Sequence, residues 1–266
     1  MRFRFAFLLT VAAALLLHQL WFGRYWYEHG PAYRPVYGAN FSCRHAAWLG
    51  LDCRETLTAV LDDLGVRHLR LSVYWDEIEP QDDRFDFSSI DWQLQEATAR
   101  GARVVLTVGM KAQRYPEFYL PAWLRERAEF PEHPARLCPY SPAWDPLVRE
   151  ETLEMLRAVV ERYAGEPTIE AWQVENEPLL QNWYKTDGWW IPPDVLAAEV
   201  AAVRAADPLG RPVVITDSTW YRFEDRWRTA LAAGDVLGQA VYTKKHHYGP
   251  SWFYLRPYRL GPLTPD

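Results

Sequence analysis

Cysteine is scarce in this sequence, and there is no excess of positive charge. Three of the 266 residues are cysteine, at Cys43, Cys53 and Cys138, which is too few for a disulfide framework. Cys43 and Cys53 lie in one predicted loop, where they can either pair or remain free thiols. The formal net charge is −6, whereas a nucleic-acid-binding protein presents a basic face, so we expect no nucleic-acid partner.

Sequence motifs for metal ions and cofactors are missing as well. No C-x-x-C or H-E-x-x-H spacing occurs, and no G-x-G-x-x-G follows the first predicted strand. We therefore expect no metal site and no cofactor. Hydrophobic residues make up 49% of the chain and charged residues 24%, which excludes global disorder and indicates a globular fold.

Aromatic residues, in contrast, are abundant. The chain contains 14 Trp, 15 Tyr and 11 Phe. Some of these side chains must form the core, but so many tryptophans also favour a surface that binds flat, ring-shaped ligands.

An uncharged stretch stands close to the first residue. Residues 1–4 carry two arginines, and residues 5–17 contain no charge, which is typical of an export signal. No A-x-A cleavage site follows, and the apolar span can continue to Phe22, which is about the length of a membrane helix. We therefore favour a membrane anchor over a cleaved signal and secretion. The predicted division is a signal-anchor and juxtamembrane segment at 1–34 and a domain outside the cytoplasm at 35–266.

Short apolar runs alternate with amphipathic helical segments along the rest of the chain. We predict helices at 54–64, 89–100, 145–163, 193–206 and 223–233. We predict strands at 36–41, 68–73, 103–108, 169–175, 213–216 and 236–242. This alternation predicts an α/β fold with a parallel sheet. The loops after the strands are long and the returns from helix to strand are short, as in a (β/α)8 TIM-type barrel, here truncated to about six β/α units.

The candidate catalytic residues lie at the end of the fourth predicted strand. It reads Trp172-Gln-Val-Glu-Asn-Glu-Pro178. A carboxyl group at the mouth of a barrel, beside aromatic walls, can have its pKa raised by desolvation and can then give a proton to a leaving oxygen. The alternative interpretation of such a glutamate is a solvated or ion-paired charge.

This stretch resembles the N-E-P motif of the cellulase-like glycoside hydrolases of clan A, which are retaining enzymes on a (β/α)8 barrel. Further similar blocks occur in the order of that family, and the resemblance covers residues 37–245. The blocks are residues 69–75 and 79–91 for its second unit, 109–116 and 121–123 for its third loop, and 216–218 and 241–242 for its fifth and sixth strands.

The resemblance implies a role for three residues. Glu177 would be the general acid/base, and Asn176 would hydrogen-bond the 2-hydroxyl of the sugar. Arg70 would lie under the catalytic carboxylates and keep the nucleophile ionised, or would form a structural ion pair. Glu175 and Glu177 come from one strand, so they are not expected to flank a glycosidic bond as the catalytic pair.

The family's nucleophile is a glutamate at the end of a seventh strand, and no such strand is predicted here. Asp217, on the fifth strand, is the nearest stand-in. An oligosaccharide or polysaccharide is the expected partner, besides the membrane at the N-terminal helix. The residues expected to bind substrate are Trp75, Trp189, Trp190, Asp217, Tyr242 and His246.

Two functions agree with these observations. One is a retaining hydrolase of β-linked saccharides, of which the chain would be a fragment that turns over slowly as it stands. The other is a catalytically inactive glycan-binding protein.

Overall fold

The computed structural model of the chain describes residues 10–18, 36–128, 130, 140–180, 189–218 and 226–240. Contacts divide the chain into two units, of which one is Val36–Ala240 and the other joins Met1–Pro35 to Val241–Asp266. In the second of these units, residues 10–18 are described and are helical. Across the described ranges, no helix combines the length and the apolar character needed to cross a bilayer.

Val36–Ala240 is built on one sheet of six parallel strands in sequential order. This result confirms the predicted partial barrel, and the observed bounds differ from the predicted ones by a few residues. The largest difference is in β1, which pairs with β2 at two positions. The strands are β1 (Ala39–Asn40), β2 (His68–Ser72), β3 (Arg103–Val108), β4 (Ile169–Val174), β5 (Val213–Ser218) and β6 (Val236–Ala240).

The described helices include every helix predicted from the sequence. Three further short helices, α1, α3 and α5, lie in segments predicted as loops. The α-helices of Val36–Ala240 are α1 (Cys43–Trp48), α2 (Cys53–Asp62), α3 (Trp75–Ile78), α4 (Ser88–Ala99), α5 (Ala122–Arg127), α6 (Pro146–Arg162), α7 (Pro193–Ala206) and α8 (Arg226–Ala233), and Pro142–Trp144 forms a 3-10 turn.

The core lies between the helices and the outer face of the sheet. In β3, Val104, Leu106 and Val108 lie on one face of the strand, and all three are buried. Asp145 is the N-cap of helix α6, and its carboxylate accepts a hydrogen bond from the Leu147 amide. Each large apolar side chain buried in this layer contributes roughly 1.5–3 kcal/mol to stability.

A disulfide bond joins Cys43 to Cys53. The sequence left this pairing open, and the structure decides it in favour of the bond. The two cysteines are the first residues of α1 and α2, whose N-caps are Ser42 and Asp52. The bond therefore closes the loop after β1 and restricts the unfolded chain.

The inner face of the sheet is polar where β1 to β4 meet. A groove of about 500 Å³ is lined there by Asn40, His68, Arg70 and Glu170, among others. His68 Nδ1 lies 3.1 Å from Glu170 Oε1. Arg70 connects this groove to the carboxyl ends of the strands, where the candidate active site lies.

Candidate active site

The chain turns sharply where β4 ends. Glu175 and Glu177 have positive φ angles of 60° and 48°, a conformation uncommon for residues other than glycine. The backbone amides hold the turn in place: Glu175 N–H donates to the Val108 carbonyl at 2.8 Å, and Asn176 N–H donates to the Lys111 carbonyl at 2.7 Å. Such strained positions persist where surrounding contacts fix them, and they are concentrated at functional sites.

Arg70 and Asn176, both singled out by the family resemblance, are in direct contact. Arg70 Nη2 donates to Asn176 Oδ1 at 2.8 Å, and Arg70 Nε donates to Thr107 Oγ1 at 3.3 Å. The bond to Oδ1 fixes the orientation of the Asn176 amide. Its Nδ2 group has no hydrogen bond to a described residue, so it can donate to a ligand hydroxyl.

Glu177 stands next to Asn176 with 8% of its surface exposed. Its amide donates to Thr216 Oγ1 at 2.8 Å, which ties the turn to β5. Thr216 also accepts a bond of 3.3 Å from Gln173 Nε2. The carboxyl group is thus carried by a turn that two neighbouring strands hold.

Glu175 points away from the site and anchors the loop after β3. It is fully buried, and its carboxyl oxygens accept hydrogen bonds from the amides of Met110 at 2.9 Å and Lys111 at 2.6 Å. Burial raises the pKa of Glu175 to about 8, although the two amides favour the charged form. Gly109 leaves space for this carboxyl, since a Cβ there would lie 2.3 Å from Glu175 Oε1.

Two further buried ionisable groups were missed from the sequence. Lys111 is fully buried, and desolvation lowers the pKa of its ammonium group. Glu199, on α7, is 1% exposed, and its carboxyl oxygens have no hydrogen bond to a described residue. Burial, and after it the nearby carboxyl of Glu175, raises the pKa of Glu199 well above its ordinary value. The helical spacing of Leu196, Val200 and Val203 puts Glu199 on the buried face of α7, whereas no local pattern signals the burial of Lys111.

Trp75 occupies a different place from the sugar groove expected from the sequence. It is the first residue of α3 and is completely buried. Its Nε1–H donates to Glu79 Oε2 at 2.6 Å. The ring therefore packs in the core and presents no face to a ligand.

Asp217 is 5% exposed and alternates along β5 with Thr216, whose side chain contacts the site. It shares its side of the strand with the buried Val213 and Ile215, and its Oδ1 lies 3.6 Å from Arg226 Nε. The structure thus places Asp217 towards the helices. A role for it as a substitute nucleophile stays a prediction.

Trp189 and Trp190 follow the long loop after β4. Trp189 belongs to an aromatic cluster, with ring centroids 5.4 Å from Phe118, 5.5 Å from Phe130 and 5.9 Å from Tyr140. Trp190 N–H donates to the Tyr140 carbonyl at 3.1 Å. The cluster joins the loops after β3 and β4, and sugar binding by either tryptophan stays a prediction.

Tyr242 and His246, which were also expected to bind substrate, lie outside the described residues.

One group of carboxylates has the spacing of a metal site. Ligand atoms of Glu79, Asp82 and Asp83 lie within 4.8 Å of one another. Protein donors contact two of the three carboxylates, because the Glu79 oxygens accept from Trp75 Nε1–H and from the Asp83 amide, and Asp82 pairs with Arg127.

Glu79 predicts a pH dependence of stability. It is 2% exposed, and burial raises its pKa from 4.5 to about 7. The folded state therefore binds the proton more tightly than the unfolded state, and this contribution to stability is lost as the pH rises from 4.5 through 7. The free energy of unfolding, measured with urea, should fall more steeply with rising pH in the wild type than in Glu79→Gln. The two slopes should differ by at most about 1.4 kcal/mol per pH unit. The exposed Glu126→Gln is the control, and equal slopes for Glu79→Gln and the wild type would contradict the assignment.

The profile of glycoside hydrolase family 42, described as beta-galactosidase, matches residues 51–187 of the chain. Beta-galactosidase Bga from Halorubrum lacusprofundi is 31% identical over 136 residues, which are 46% of this chain and 18% of that protein. The chain thus spans about a fifth of the curated relative.

Solved structures share the fold. A beta-galactosidase from Rahnella sp. R3 superposes with a TM-score of 0.57 at 15% identity, covering 79% of this chain and 39% of that one. GH5_18 from Streptomyces cattleya, in complex with Manβ1-4GlcNAc, superposes with a TM-score of 0.51 at 22% identity, covering 71% and 46%. These neighbours confirm the fold of a partial TIM barrel. Because the family profile extends over more than half of the residues, the chain belongs to glycoside hydrolase family 42, the beta-galactosidase family.

Proposed function

We propose that the protein is a retaining hydrolase of β-linked saccharides, with Glu177 as its acid/base residue. The observation that carries this proposal is the contact of Arg70 with Asn176, next to Glu177, at the carboxyl end of a parallel sheet. Active sites of (β/α)8 barrels lie at this end of their strands.

Each of these residues has a separate task in the proposed reaction. The Glu177 carboxyl gives its proton to the departing oxygen, and as a carboxylate it then accepts a proton from the attacking water. Asn176 Nδ2 donates to the 2-hydroxyl of the sugar, because Arg70 occupies Oδ1. A contact of this kind strengthens as the oxocarbenium-like transition state forms, so it lowers the barrier as well as binding the sugar.

β-Galactosides are the substrate class to test first. The family description and the name of the Halorubrum lacusprofundi relative support this choice. The retaining mechanism also needs a second carboxylate about 5–5.5 Å from the first. The family resemblance assigns that group to a seventh strand, and the described residues contain six strands.

The test of this proposal adds azide as an external nucleophile in place of the second carboxylate. Release of nitrophenol from 4-nitrophenyl β-galactoside is measured with and without sodium azide, and the α-galactoside is the matched control. Azide can displace the aryl oxide at the anomeric carbon when no protein carboxylate does so, and one displacement inverts that carbon to give the α-galactosyl azide. We expect release from the β-anomer alone, either in plain buffer or on addition of azide. The proposal would be contradicted if, both with and without azide, the protein released nitrophenol no faster than heat-denatured protein does.

Glycan binding without catalysis is the second candidate. The observation in its favour is that the described residues form six strands, whereas the family's nucleophile is a glutamate at the end of a seventh. Calorimetric binding of a β-galactoside, together with no release of nitrophenol under either condition, would select this function.

A further inference from the structure

We propose that Lys111 is a positioning residue for Glu177, an inference that rests on the proposed hydrolase function. Lys111 lies in the loop after β3, and its side chain is fully buried. Its ammonium group therefore does not contact solvent, and it acts through the groups packed around it.

Three groups of Lys111 bind three successive residues of the turn after β4. Its amide donates to Glu175 Oε2 at 2.6 Å, and its carbonyl accepts from the Asn176 amide at 2.7 Å. Its Nζ donates to the Glu177 carbonyl at 2.8 Å and to the Leu180 carbonyl at 3.2 Å. A single residue thus holds the whole turn that carries the candidate acid.

A contribution to the stability of the fold does not by itself explain a lysine at this buried position. The nearest carboxylate oxygen in a described contact is Glu117 Oε2, at 3.8 Å from Nζ, and the ring of Phe118 lies 5.7 Å away. Burying an ammonium group costs several kcal/mol, and an apolar side chain of similar length frequently gives equal or greater stability. What a methionine cannot supply is a pair of hydrogen bonds to the carbonyls of Glu177 and Leu180.

Those bonds determine where the Glu177 carboxyl points. The Glu177 carbonyl is held by Lys111 while its amide is held by Thr216 from β5. The two contacts fix the residue from opposite sides at its positive φ of 48°. Once the ammonium is removed, the turn can relax towards ordinary backbone angles. A displacement of about 1 Å in a reacting group can lower a rate by roughly 10²-fold.

The experiment compares Lys111→Met with Lys111→Gln, whose amide nitrogen is one bond shorter than the ammonium but still donates. Lactose is the substrate because its leaving group needs protonation, and the assay uses the condition, with or without azide, in which the wild type is active. We expect Lys111→Met to lower kcat about 10²-fold with a much smaller change in KM, and Lys111→Gln to recover part of the loss. Amide hydrogen exchange at Asn176 and Leu180 should be faster in Lys111→Met.

Val159→Ala, a truncation in the buried face of α6, controls for a general loss of stability. It should lower the unfolding midpoint while keeping kcat. The proposal is overturned if Lys111→Met keeps kcat within twofold of the wild type, or if Val159→Ala loses kcat to the same extent.

Failure of the proposed function gives a different pattern. In that case the wild type releases no product under either condition, while it still folds. Faster exchange in Lys111→Met would then show that the lysine holds the turn for stability alone, which overturns its positioning role in catalysis. Unchanged exchange would overturn the contact itself.

Discussion

Replacing Glu177 with glutamine should lower the turnover of lactose by roughly 10²–10⁴-fold. Glutamine has nearly the same shape, so the turn and its bonds to Lys111 and Thr216 can persist, but it has no proton to give. The sugar that departs from lactose is a poor leaving group and needs that proton. Nitrophenol departs as a stable anion, so the first step on 4-nitrophenyl β-galactoside should slow much less. The measurement is kcat on both substrates under the condition that supports wild-type turnover.

Glu161→Gln is the matched control, because Glu161 is an exposed residue of α6 outside the site. It should leave both rates unchanged. If Glu177→Gln slows the two substrates equally, Glu177 is not the proton donor, and its effect comes from binding or from the fold.

Gly109→Ala should be among the most destabilising single substitutions in the protein. The new Cβ would lie 2.3 Å from Glu175 Oε1 and 2.4 Å from Glu175 Cδ, and the φ of 130° at Gly109 is itself unfavourable for alanine. The Glu175 carboxyl must move, and it then loses its bonds to the amides of Met110 and Lys111. We expect a loss of about 3–5 kcal/mol in the free energy of unfolding, measured by urea denaturation.

A double-mutant cycle separates the clash from the backbone strain. Gly109→Ala combined with Glu175→Ala should cost less than the sum of the two single variants, because the colliding carboxyl is already gone. Gly165→Ala is the control, since a Cβ at Gly165 meets no atom within 4 Å. Additive costs in the cycle would show that the carboxyl is not what Gly109 makes room for.

The strands were predictable because their sequence pattern is local. The β-branched run in Arg103–Val108 indicates a strand of a parallel sheet, and the structure places β3 there with the predicted bounds. The short helices could not be predicted in the same way. Helix α3 has four residues, and α1 and α5 have six each, which is less than two turns. A periodicity of 3.6 residues is not measurable over such a length.

The part of the candidate site that a contiguous motif defines was predictable from the sequence. The part that depends on contacts between residues far apart in the sequence was not. Asn176 and Glu177 stand in a recognisable N-E-P stretch, and the family pattern singled out Arg70, but its contact with Asn176 is seen only in the structure. Lys111 gave no such signal, because a lone lysine in a polar loop is ordinarily exposed. For Trp75 the prediction was wrong in the opposite direction. It was expected to be exposed in a loop after a strand, but the short helix α3 directs its side chain into the core.

The anchoring of the loop after β3 by Glu175 has a consequence for the order of folding. The amides of Met110 and Lys111 precede the carboxyl that binds them by 65 and 64 residues. A nascent chain presents these two amides well before their acceptor has been synthesised. During that interval the loop lacks its anchor, and the turn that carries Glu177 does not yet exist. The edge of the sheet that carries the candidate site can therefore form only after β4 has emerged.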